Sequence, residues 1–211
     1  MNKINKILQK IFFNEGIKDM YAEAIREIRN LPLSPDAPKL AAEKILNVEK
    51  KNSFPIPIIK ICTNMGFKIY TQELPSNIGG YIVIDGELKE RFQSDRIISV
   101  NCEESSMRRR FTVAHELGHF LFDFDPNESI LFYNAFEQDH AEGENRDEEL
   151  RANRFAAELL MPEAEFVKKF QEYKVAYRDQ LYDIVQALSD YFLVPPKAVK
   201  RRISEELKLN G

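Results

Sequence analysis

The chain has 211 residues, 44% hydrophobic and 30% charged, enough to build one sizeable core and too apolar for a disordered chain. A net charge of −4 and a pI near 5.6 speak against a protein whose main task is gripping nucleic acid. Two cysteines without paired spacing, Cys62 and Cys102, give no disulfide framework, and no apolar run reaches the roughly 18 residues of a membrane span.

Residues 1–30 carry Ile4, Leu8, Ile11, Phe12, Tyr21, Ile25 and Ile28 at helical spacing, with Gly16 as a candidate break. The apolar run here is too broken for a signal peptide and no small-residue cleavage site follows, so a cytoplasmic protein is expected. Three prolines between Leu31 and Pro38 mark a boundary, which separates a helical arm at 1–38 from a main domain at 39–211. A helix over Lys39–Val48 follows, then a short one behind Pro55 and Pro57 that Gly66 can cap. Phe67–Gln72, Gly79–Asp85 and Arg96–Asn101 read as strands, with a turn at Asp85-Gly86. Short connections predict a small, mostly antiparallel sheet.

Ser105–Phe122 reads as one helix, and the polar stretch Asp123–Asn145 as a long loop. Helices follow at Arg146–Met161, Pro162–Tyr173, Arg178–Tyr191 and Pro196–Leu207. The last two form a helical pair around Val194-Pro195-Pro196. The fold class is α+β. Basic runs at Arg108–Arg110 and at Lys197, Lys200, Arg201 and Arg202 read as solvated helix faces.

The chemistry lies in His115-Glu116-Leu117-Gly118-His119. Histidines four apart on a helix leave the same face, and two neutral imidazoles so placed can share one zinc ion. Only three histidines exist and two are here, on a helix whose other face carries Val113, Leu117, Phe120 and Leu121. Glu116 is placed to reach a water rather than the metal and is the candidate general base. Gly118 leaves space beside the histidines at a helix-propensity cost of about 1 kcal/mol.

A catalytic zinc needs a third protein ligand. Glu149 is the candidate, sharing a face with Asn153, Ala156, Ala157 and Leu160, whose alanines allow close helix packing. Asn153 can take a histidine ring N–H and fix its tautomer. Glu148 and His140 compete with Glu149; the face of Glu148 continues into Ala152, Phe155 and Leu159 and reads as core. Substrate can add as a strand along a sheet edge, for which the strand with Gly80 and Tyr81 is the candidate. Tyr81, Tyr133 and His140 are candidate oxyanion donors.

Three segments carry a family resemblance: RRFTVAHELGHFLF at 109–122, E-x-x-A-N-R-F-A-A-E-L-L-M-P at 149–162, and L-S-D-Y-F-L-V-P-P-K-A-V-K-R-R at 188–202. With the two upstream strands, the sequence resembles the ImmA/IrrE family of zinc peptidases over roughly 40–205. The resemblance implies a compact zincin-like fold, zinc ligands at His115, His119 and Glu149, and a catalytic Glu116. It also implies a protein substrate, a repressor encoded nearby. Many members carry a His where this chain has Asp123, a position outside the family's ligand set. The N-terminal 38 residues match nothing in the pattern.

Two other functions compete with the peptidase. One is a regulatory module acting by contact, with zinc structural; the terminal helical pair has a helix–turn–helix outline, although a core-capping hairpin accounts for it better. Retention of Glu116 favours the enzyme, since a structural site needs no general base. The other is a toxin–antitoxin component.

Overall fold

The computed structural model describes residues 3–49, 53–124, 130–135 and 146–209. Among them are α1 (Lys3–Arg29), α2 (Ala37–Glu49), α3 (Ile58–Asn64), β1 (Lys68–Gln72), β2 (Ile78–Ile84), α4 (Leu88–Phe92), β3 (Arg96–Asn101), α5 (Ser106–Phe122), β4 (Ile130–Ala135), α6 (Arg146–Leu160), α7 (Glu163–Ala176), α8 (Leu181–Phe192) and α9 (Pro196–Leu209). The architecture is α+β, as the alternation of periodicities predicts.

The sheet runs β1-β3-β2-β4, with β1 and β3 parallel and the other two pairings antiparallel. Two expectations change here. Part of the loop expected over 123–145 is strand β4, whose Ile-Leu-Phe-Tyr core gains a ladder along β2. As a result β2 is an inner strand, with β3 on one side and β4 on the other, and not a free edge. The Asp85-Gly86 turn leads into the short α4 before β3 returns, closed by Asp85 N–H donating to Asp95 O at 2.9 Å.

Helix α1 passes through Gly16 without a break, because one helical glycine costs only about 1 kcal/mol. Tyr21, Ala24 and Ile28 are buried in the same core as α2 and α5. The Tyr21 hydroxyl donates to Glu49 at 2.7 Å, and Arg29 donates to the Phe120 carbonyl at 3.1 Å. The second half of α1 therefore packs into this core. Helix α3 ends at Gly66, whose φ of 93° lets Phe67 N–H reach the Cys62 carbonyl at 2.9 Å.

Helix α5 lies between the sheet and α6. Its apolar residues Val113, Ala114, Leu117, Phe120 and Leu121 are buried, as are Phe155, Ala156, Leu159 and Leu160 of α6. Gly118 sits where these two helices cross. A Cβ there would stand 3.0 Å from Ala152 Cα and 3.2 Å from the Phe155 ring. The space that Gly118 leaves is thus filled by α6, not by a ligand. The basic runs also differ from expectation. Arg109 donates to the carbonyls of Cys102 and Glu104, and Arg110 to those of Ile56 and Leu193. Arg202 is buried against Glu158, while Lys197, Lys200 and Arg201 are exposed. Buried carbonyls and carboxylates need donors, and these arginines supply them. No helix among the described residues is long and apolar enough to cross a membrane.

Candidate metal centre

Helix α5 starts at a Ser105 cap, whose hydroxyl accepts from Arg108 N–H at 3.3 Å. Ten residues on, His115 and His119 leave one face, both nearly fully buried, with Glu116 beside them wholly buried. Helix α6 crosses this face with its first turns. Glu149 Oε2 lies 3.3 Å from His115 Nε2, Glu149 Oε1 lies 3.2 Å from His119 Nε2, and the two Nε2 atoms are 3.0 Å apart. These three side chains offer ligand atoms within 4.8 Å of one another.

Both rings are held from behind. His115 Nδ1 meets Asn153 Oδ1 at 3.2 Å, and His119 Nδ1 meets Asp123 Oδ2 at 2.8 Å. An amide oxygen and a carboxylate only accept, so each Nδ1 carries the hydrogen and donates it. Each neutral ring then turns an Nε2 lone pair inwards, toward the other lone pair and a carboxylate. Three acceptors converging in a buried space repel one another unless a cation stands between them. Zinc takes such ligands at about 2.0–2.1 Å, and at a tetrahedral angle they stand about 3.3 Å apart. The observed separations of 3.0–3.3 Å fit that requirement.

In the metal-free protein a proton takes the place of that cation. Burial, the largest influence on His119, pulls its pKa down. Hydrogen bonds to Asp123 and Glu149, with the charges of Glu116 and Glu149, outweigh burial and push it up to about 10. Burial raises Glu149, but hydrogen bonds from His115 and His119 more than reverse this and hold it well below the usual carboxylate range. With both imidazoles neutral, the carboxylates of Asp123 and Glu149 face one guanidinium, Arg151, among the ion pairs described here.

Of the residues singled out from the sequence, His115, Glu116, His119, Glu149 and Asn153 come together here. Glu148 does not join the donor cluster. Gly80 and Tyr81 do not either. A Cβ on Gly80 would stand 2.6 Å from Thr112 Cγ2 and 2.7 Å from Ser99 O, so this glycine lets the sheet press on α5. Tyr81, next along the strand, faces the opposite side and takes a hydrogen bond from Gln72 at 2.6 Å. The edge argument that singled them out fails because β4 occupies that edge. His140 and the Tyr133 side chain lie outside the described residues.

Two roles went unread: that of Asp123, noted only as a departure from the family pattern and almost fully buried behind His119, and that of Arg151, which donates to Asp123 Oδ1 at 2.7 Å. Asp123 stands one helical turn after His119, and that spacing alone could have marked it.

Residues 63–204, a span that contains every member of this cluster, match the family model for peptidase M78, the IrrE N-terminal-like domain. No curated protein matches the chain. With the model covering well over half the sequence, the chain belongs to the peptidase M78 family of IrrE N-terminal-like domains.

Proposed function

We propose that the protein is a zinc-dependent peptidase acting on a specific protein substrate, a DNA-binding repressor, by general-base activation of water. The observation that carries this reading is the convergence of three acceptors, His115 Nε2, His119 Nε2 and Glu149, beside the buried carboxylate of Glu116. His115, His119 and Glu149 hold the ion. When bound, zinc supplies Lewis-acid polarisation of the scissile carbonyl and lowers the pKa of a coordinated water. Glu116 accepts the proton released as water attacks and returns it to the leaving nitrogen. Asn153 keeps His115 in the tautomer that presents Nε2. Membership of a peptidase family supports the reaction type.

The test is zinc content and cleavage of the repressor encoded beside the gene, for wild type, Glu116→Gln and Glu149→Ala. Wild type should hold one zinc and cleave. Glu116→Gln should keep zinc and lose roughly 10²–10⁴-fold in rate. Glu149→Ala should lose the metal. A wild type that holds zinc, never cleaves, and matches Glu116→Gln in cells would replace this reading with a regulatory module that acts by contact.

A further inference from the structure

Four residues of α6 reach four points on α5. Glu149 meets both histidines, Ala152 packs on Gly118, Asn153 meets His115, and Arg151 meets Asp123. On α5 the points of contact are 115, 118, 119 and 123, a stripe along one helix face. The Glu149 contacts hold the helices together through whatever stands between Glu149 and the rings, a shared proton or a metal ion. The Gly118–Ala152 contact sets how closely the helices approach, but as a point of van der Waals contact it does not fix their rotation.

Asp123 supplies what is missing. It ends α5, its N–H bonded back to His119 O at 2.9 Å. Its carboxylate divides between two partners, Oδ2 accepting from His119 Nδ1–H at 2.8 Å and Oδ1 from Arg151 at 2.7 Å. Its side chain is only 2% exposed. Charge-assisted bonds of this kind are the strong ones, and an arginine carries them in a fixed planar geometry. Arg151 is also packed, its guanidinium 5.9 Å from the Phe122 ring.

We propose that Arg151 and Asp123 are a positioning pair that locks the ring of His119 and clamps the α6 segment bearing Glu149 onto α5, so that the three metal ligands are set at their working separations before the ion arrives. The pair touches neither substrate nor metal. Arg151 acts on the ion through two intermediaries: Asp123, which aims His119, and its own helix, which carries Glu149 two residues away. This proposal rests on the zinc reading above.

The experiment measures zinc affinity of the full chain by competition with a chromophoric chelator, with melting of the metal-free protein as the folding control. A downfield imidazole N–H proton resonance in the zinc-loaded protein reports on His119 Nδ1–H. Asp123→Ala should weaken zinc about 10–100-fold and abolish that resonance, the usual range for a partner behind a ligand. Arg151→Met should weaken zinc about 10-fold and speed exchange of the same proton, although it contacts no ligand. Arg151→Lys should recover part of the loss. The double variant should bind no more weakly than Asp123→Ala alone, because both changes break one unit.

Unchanged zinc affinity in folded Arg151→Met, with the resonance intact, would overturn the pairing and leave the zinc reading standing; so would losses that simply add in the double variant. A wild type that takes up no zinc would overturn the zinc reading itself, and this proposal with it.

Discussion

The two ends of α6 do opposite things with the same kinds of side chain. At its start Glu149, Arg151 and Asn153 meet His119, Asp123 and His115, and the groups gathered there carry more negative charge than positive. At its end Glu158 is buried against Arg202 of α9, joined at both oxygens, one at 2.9 Å, with the guanidinium 5.8 Å from the Phe166 ring. That pair balances one carboxylate against one guanidinium, with Lys39 and Glu163 a second balanced pair close by. A buried ion pair that closes on itself fastens two helices. A buried cluster whose charges do not close is built around something else.

The largest effect expected from breaking this contrast is at the closed end. Arg202→Met leaves the Glu158 carboxylate buried without its partner and should cost about 3–5 kcal/mol of unfolding free energy. Replacing both, Glu158→Leu with Arg202→Met, should recover most of that, since a closed pair is replaceable by apolar packing. Denaturant melts of the metal-free single and double variants check it. Zinc affinity of the folded fraction should not move in either.

The open end should behave the other way round. Glu149→Ala removes a ligand rather than a partner behind one, so zinc affinity should fall by more than the roughly 100-fold that supporting residues give, about 3 kcal/mol or more. Melting of the metal-free protein should fall only modestly, because the hydrogen bonds lost from the two histidines end on a carboxylate that is 32% exposed. A large loss of metal-free stability would mean that the open end is a structural pair like the other.

How much of this was readable beforehand follows from the reach of each signal. His115, Glu116 and His119 lie on one helical turn and a half, and a local period identifies them. Glu149 and Asn153 needed a second helix, but their four-residue spacing and the resemblance supplied it. Arg151 and Asp123 are 28 residues apart in sequence and meet only through the crossing of α5 and α6, which no local pattern encodes. The same limit explains β2. Gly80 stands close to Thr112 and the Ser99 carbonyl, and the strand β4 that buries the edge of β2 lies inside a stretch whose composition reads as loop. Arg109, Arg110 and Arg202 misled for a third reason: a charge run looks alike whether its partners are water, backbone carbonyls or a buried carboxylate.

Gly118 tests whether the crossing itself matters to the site. A methyl group there would meet Ala152 Cα at 3.0 Å, and a helix backbone yields less readily than a side-chain tip. Overpacking of this kind costs about 1–3 kcal/mol, against up to about 1 kcal/mol regained in helix propensity. Gly118→Ala should therefore destabilise by about 1 kcal/mol net in a thermal or denaturant melt. It should also weaken zinc several-fold, because α6 must shift with Glu149 on it. Unchanged affinity together with lost stability would show that Glu149 follows its ligands independently of the crossing.

The smallest effect belongs at the far end of α5. Ser105 caps the helix by accepting from Arg108 N–H, at a rather long 3.3 Å. Ser105→Ala should cost about 0.5–1 kcal/mol, the lower part of the range for such caps. The lost bond lies almost three helical turns before His115, and between them Arg110 is fastened to the Ile56 carbonyl at 2.7 Å. Fraying should stop there. Zinc affinity should match wild type, and that equality separates general loosening of α5 from the specific losses expected at Gly118 and Asp123. If Ser105→Ala weakens zinc as much as Gly118→Ala does, the ligand geometry depends on the whole helix and not on its crossing with α6.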